Sequence, residues 1–219
     1  ASNKGDTEAV KELTVRDGDP NLLDRWGMSV LHTAVLCSDW DVVTLLIQFH
    51  GDIHSPMPSK ENMENTALTS LIDARAIDVI QFTFMWCADQ WKGVNNEGET
   101  TLHAACLSGY PGILYDLIAR RVNPLAVTDL GHSALCYAVL CRDCPQKMVA
   151  ECIKLGFSVH QSHIPDVEER DWSRSYFFQI LNQTTETITM FTCPLMLAVM
   201  RGLPVVTQML YESGACSNR

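Results

Sequence analysis

Apolar positions along this chain fall in short clusters at helical spacing, and the clusters come in pairs. The first cluster of each pair places Leu and Ala three residues apart: Leu31 and Ala34, Leu102 and Ala105, Leu135 and Ala138, Leu195 and Ala198. That spacing puts both side chains on one face of a helix. The second cluster carries larger residues, as in Val42, Val43, Leu45 and Leu46, or Val205, Val206, Met209 and Leu210. Ser29, Thr100 and Ser133 stand just ahead of first clusters, where a hydroxyl accepts a backbone N–H and starts the helix. The pattern predicts pairs of short helices, an all-α chain. Each pair is too small to hide its own apolar face, so stability has to arise from stacking on neighbours. Small Ala34, Ala105, Ala138 and Ala198 allow the close approach such stacking needs.

The pairs repeat. Asp24-Arg25-Trp26-Gly27-Met28-Ser29-Val30-Leu31-His32-Thr33-Ala34 aligns with Asn95-Asn96-Glu97-Gly98-Glu99-Thr100-Thr101-Leu102-His103-Ala104-Ala105. A third copy runs Thr128-Asp129-Leu130-Gly131-His132-Ser133-Ala134-Leu135-Cys136-Tyr137-Ala138, and a fourth begins at Cys193-Pro194-Leu195. Thr66-Ala67-Leu68-Thr69 is the weakest copy. From Thr100 to Ser133 the step is 33 residues. A second landmark follows each copy: His50-Gly51-Asp52, Cys87-Ala88-Asp89, Arg121-Val122-Asn123, Gly156-Phe157-Ser158 and Gly214-Ala215-Cys216.

A turn with Asp and Gly, a Thr-x-Leu-His helix start and a Gly-Ala-Asp-like ending at this period resemble the ankyrin-repeat family. The resemblance runs from about Gly5 to Asn218 with one interruption. It is sharpest in Thr100 to Gly109. It implies an ankyrin-repeat solenoid of stacked helix-turn-helix units with β-hairpin-like finger loops. It also implies that His32 and His103 tie adjacent turns by hydrogen bonds. The expected organisation is a single domain over 1–219: a partial repeat at 4–23, repeats at 24–56, 57–94, 95–127 and 128–161, an insertion or degenerate segment at 162–188, and a last repeat at 189–219. The 162–188 segment is polar and acidic at its start, then carries Tyr176-Phe177-Phe178.

Composition narrows the function. The chain is 47% hydrophobic and 19% charged, an ordinary globular balance. Its net charge of −10 offers no basic field for a phosphate backbone, which argues against nucleic acid. The longest apolar stretch, Ile77 to Ala88, is broken by Asp78 and Gln81, so no membrane insertion is expected. Nine cysteines, mostly inside apolar helical segments, read as reduced thiols of an intracellular protein, cytoplasmic or nuclear.

Ankyrin stacks use finger loops and exposed first-helix positions, which line a concave groove. Carried over residue by residue, the resemblance gives a candidate partner surface. Its fingers contribute Arg25, Trp26, Met28, Glu97, Glu99, Asp129, Leu130 and His132. Its helices contribute Leu36, Leu107, Tyr137, Leu140, Leu197 and Met200, with Trp40 and Tyr110 just beyond. Large apolar and aromatic residues at such places are the types enriched in binding hot spots. An apolar groove edged by Glu97, Glu99 and Asp129 would suit another protein or peptide with apolar anchors and basic flanks.

Catalytic signals are sparse. There is no Gly-rich phosphate loop, nucleophile elbow or paired His-Glu helix motif, and no cofactor is called for. Cys141-Arg142-Asp143-Cys144 has zinc-ligand spacing, with Cys136 and Cys152 nearby, but structural zinc needs four converging ligands and both flanking cysteines already hold helix positions. The expected role is a protein–protein interaction scaffold, not an enzyme, in a larger adaptor or regulatory protein. Two other settings for the same scaffold are a substrate-receptor module of a ubiquitin ligase and an intramolecular regulatory domain of an enzyme or channel.

Overall fold

The computed structural model describes residues 10, 12, 16, 18–56, 66–74, 76, 78–80, 83, 94, 98–129, 131–160 and 193–215. Glu97, Leu130, the 162–188 segment and most of the partial repeat at 4–23 lie outside them. The chain forms two compact units, Ala1–Asn95 and Asn96–Arg219.

In the first unit the helices whose bounds lie among the described residues are α1 (Val30–Leu36), α2 (Trp40–Gln48) and α3 (Ala67–Asp73); Val10, Glu12, residues 78–80 and Thr83 are also helical. A tight finger precedes α1, with Leu23 bridged to Ser29. Ser29 caps α1 through a reciprocal pair: its hydroxyl accepts from the His32 amide at 3.2 Å, and its own amide donates to His32 Nδ1 at 3.0 Å. Asp39 caps α2 by accepting from the Val42 amide. Between the two caps, α1 buries Leu31, His32, Ala34 and Val35, and α2 buries Val42, Val43, Leu46 and Ile47. Each such aliphatic side chain contributes roughly 1.5–3 kcal/mol by leaving water. Helix α1 packs on both α2 and α3.

The second unit holds α4 (Thr101–Ser108), α5 (Pro111–Ala119), α6 (Ala134–Leu140), α7 (Pro145–Lys154), α8 (Pro194–Met200) and α9 (Pro204–Glu212). They are three hairpins stacked in chain order. First helices pack on first helices, α4 on α6 and α6 on α8; second helices pack likewise, α5 on α7 and α7 on α9. Proline opens α5, α7 and α9 at the position where a missing N–H costs nothing. Among the described residues, strand pairing is limited to isolated bridges across the fingers, Val127 with Ser133 being the one in this unit. This is the all-α ankyrin-repeat architecture that the resemblance implies.

In the four copies among the described residues, the second landmark has one structural meaning; Cys87-Ala88-Asp89 lies outside them. Helix α2 ends with the amides of His50 and Gly51 donating back to Ile47 and Leu46. Arg121 and Val122 do the same to Ile118 and Leu117, Gly156 and Phe157 to Ile153 and Cys152, and Gly214 and Ala215 to Tyr211 and Leu210. Each closure needs a left-handed residue. His50, Arg121, Gly156 and Gly214 supply it, with φ of 63°, 60°, 78° and 92°.

Candidate functional site

The fingers are built alike. Asp24 Oδ1 accepts from the amides of Trp26 and Met28 at 2.8 and 2.9 Å, and Gly27 completes the turn with φ of 80°. In the equivalent finger Thr128 Oγ1 accepts from the His132 amide at 3.1 Å, and Gly131 also has φ of 80°. A short polar turn therefore sets the backbone of each of these two fingers.

Two histidines hold the helix starts. His32 Nε2 lies 2.8 Å from the Ser55 carbonyl oxygen, ahead of the next helix. His103 accepts from the Thr100 amide at Nδ1, 3.0 Å, and its Nε2 donates to the His132 carbonyl in the following finger at 3.2 Å. Both histidines thus join consecutive turns, as the motif implies. Burial lowers His103 to about 4 despite the backbone contact to His132, and lowers His132 to about 3, helped by the nearby His103. The His103 ring is a neutral structural tie.

Of the first-unit candidates, Trp26 is 63% exposed and Leu36 is 66% exposed. Arg25 lays its guanidinium over the Trp26 ring, 3.8 Å from the centroid. Met28 and Trp40 are half-buried. In the second unit Tyr110, Asp129 and Met200 are exposed and Leu107 is half-buried. The exposed Leu22, Leu23, Val30, Leu125 and Val127 are further apolar residues at the fingers and helix starts. Leu22, Leu23, Leu125 and Val127 precede the aligned turns, so sequence alignment centred on the turn passes over them.

Five candidates are not surface residues. Glu99, His132, Tyr137, Leu140 and Leu197 are all buried. Tyr137 donates its phenol to Glu99, tying α6 to the finger ahead of α4. All seven residues of α6 are buried, enclosed by α4, α7 and α8, and Leu197 lies in α8 against it. An expected outward face at Tyr137, Leu140 and Leu197 is therefore corrected to core.

Cys106, Cys136, Cys141 and Cys152 are buried thiols. Desolvation pushes Cys136 up to about 12 and Cys106 well above its usual value. Cys106 and Cys152 place their sulfurs 3.6 Å apart, and Cys144 donates to the Gly109 carbonyl. Among the described residues no group of three or more His, Cys, Asp or Glu side chains converges as a metal site. Also among them, no helix is long and apolar enough to cross a membrane.

Comparison with known proteins agrees with this geometry. The family description "Ankyrin repeats (3 copies)" matches residues 1–85. Neurogenic locus notch homolog protein 1, from Homo sapiens and from Mus musculus, is 32% identical over 118 residues, 54% of this chain and 4% of the relative. This chain thus spans a small fraction of those relatives. Among solved structures, the ankyrin repeat protein EF0377 superposes with a TM-score of 0.69 at 18% identity, covering 97% of this chain and 94% of that one. An ankyrin repeat domain from Acinetobacter baumannii AYE gives 0.62 at 20% identity, covering 95% and 99%.

Proposed function

We propose, from the premise that this chain is an ankyrin-repeat protein, that it is a non-catalytic scaffold that captures a partner peptide or protein domain. The surface in question is the finger turns and the outward positions of the first helices. The observation that carries the reading is the exposure of Trp26 and Leu36: large apolar side chains stand in water where neither fold nor stability requires them. Arg25, Met28, Trp40, Leu107, Tyr110, Asp129 and Met200 extend the candidate surface within their own units. The seven described cysteines are all free, which fits a reducing compartment, cytoplasm or nucleus. Within a longer protein the chain would serve as the adaptor or regulatory part.

Selection of peptides from an unbiased displayed library against the whole chain tests the reading. We expect binders of micromolar affinity or tighter whose binding is lost when exposed finger and first-helix residues of either unit are changed to Ala. Binders that ignore every such substitution, or none at all, would reject it.

A further inference from the structure

The first hairpin has an uncharged solvent face. On α1 its outward positions are Val30, half-buried Thr33 and Leu36, with exposed Cys37 at the cap. It begins at Ser29, which is bridged to Leu23 across the finger that bears Trp26. An exposed apolar strip therefore runs from the finger tip along the helix.

Along this hairpin's sequence the charge is one-sided. Residues 18–56 hold five aspartates, Asp19, Asp24, Asp39, Asp41 and Asp52, against the single Arg25. That arginine is already laid over Trp26. Asp24 sits in the turn that aims Trp26, while Asp39 and Asp41 follow Leu36 at the start of α2. The excess is greater here than in the second unit. Residues 98–129, the matching stretch of the second unit, balance Glu99, Asp116 and Asp129 against Arg120 and Arg121.

From this juxtaposition we infer that the strip at Trp26, Val30 and Leu36, edged by Asp24, Asp39 and Asp41, docks a basic amphipathic peptide segment. The segment's apolar residues cover the strip and its Lys or Arg flanks face the aspartates. Apolar anchors supply the affinity, and the carboxylates steer the approach and reject acidic segments. The inference rests on the binding reading above and narrows it to one hairpin and one partner chemistry.

The test uses fluorescence anisotropy on the whole chain with three short labelled peptides: one with leucine anchors and lysine flanks, one with the same anchors and glutamate flanks, and one with the lysines but serine in place of leucine. The basic amphipathic peptide should bind best, and both others at least roughly tenfold more weakly. Trp26→Ala and Leu36→Ala should each weaken it by about tenfold or more, and Asp41→Asn by less, while Val205→Ala, at an exposed position of α9, leaves it unchanged. Added salt should weaken binding to the parent chain. Trp26 and Leu36 are exposed, so unchanged unfolding midpoints will show that these variants are folded. Equal binding of the acidic peptide, no binding of the basic one, or indifference to Trp26→Ala and Leu36→Ala would overturn the inference. Library-selected binders seated elsewhere, or acidic ones, would sink it while leaving the general binding reading intact.

Discussion

His103 stands edge-on to Tyr137, with ring centroids 5.0 Å apart and planes inclined by 73°. The same Tyr137 donates its phenol to Glu99, and His103 reaches forward to the His132 carbonyl. One buried group of side chains therefore joins the finger ahead of α4, the start of α4, the following finger and α6. Polar groups in such a place hold position because leaving them unmet is costly.

Removal of the phenol is the first check. Tyr137→Phe keeps the ring against His103 but withdraws the donor from the buried Glu99 carboxylate. We expect a loss of about 1–3 kcal/mol in denaturant unfolding. Tyr137→Ala also empties the ring's volume and should lose about 3–5 kcal/mol. In a double-mutant cycle, Glu99→Gln should cost less in the Tyr137→Phe background than in the parent. Independent, additive costs would show that the two side chains do not act together.

Acid should loosen the same unit. His103 is held at about 4 and His132 at about 3, both below the 6.5 of an unfolded histidine. Below pH 6.5 the unfolded chain therefore binds more protons than the folded one. The stabilisation is full above pH 6.5 and drains as pH falls toward 4 and then 3. The cause is burial, which penalises the charged ring; a proton on His103 Nδ1 would also face the Thr100 amide that now donates to it. For His103 the loss approaches about 3 kcal/mol by pH 4. Unfolding midpoints measured from pH 7 to pH 4.5 should fall more steeply in the parent chain than in His103→Gln. Parallel slopes would contradict the assignment.

Val139 and Val199 occupy the same place in successive first helices, yet Val139 is fully buried and Val199 is 59% exposed. Val139→Ala should therefore cost about 2 kcal/mol by transfer and cavity formation. Val199→Ala should stay within about 0.5 kcal/mol. Similar losses at both sites, read by thermal or chemical unfolding, would mean that Val199 is covered in solution.

Much of this was legible in the chain itself. Helix starts at Ser29 and Thr100, and the ties made by His32 and His103, follow from local chemistry that repeats at a fixed step. The landmark residues marked helix ends for the same reason. The repeat places Tyr137, Leu140 and Leu197 outward because their positions are outward in a regular stack. Position in a repeat does not record which neighbours close over a helix, and α6 carries no charged residue that would have kept one side in water. Trp26 and Leu36 were legible as surface residues only through the repeat. The balance of charge around them became meaningful once the strip they share had a location.

The four second-helix endings give the last prediction. His50 and Arg121 occupy the left-handed position that Gly156 and Gly214 fill in the other copies. A Cβ there crowds the carbonyl oxygen, costing roughly 1 kcal/mol that glycine avoids. Arg121→Gly should therefore stabilise the second unit by about 0.5–1 kcal/mol, the gain being offset in part by glycine's greater freedom when unfolded. Gly156→Ala should destabilise it by about 1 kcal/mol, since an added Cβ meets nothing within 4 Å and only the backbone term operates. Gly98→Ala makes the contrast. Its φ of 74° imposes the same strain, but its new methyl would also lie 2.6 Å from Asp129 Oδ1 and 2.8 Å from the Asp129 amide nitrogen. The finger would have to open to admit it, so Gly98→Ala should cost clearly more than Gly156→Ala. Equal losses would show that the finger yields freely, and a destabilising Arg121→Gly would show that the arginine side chain contributes more than its backbone strain removes.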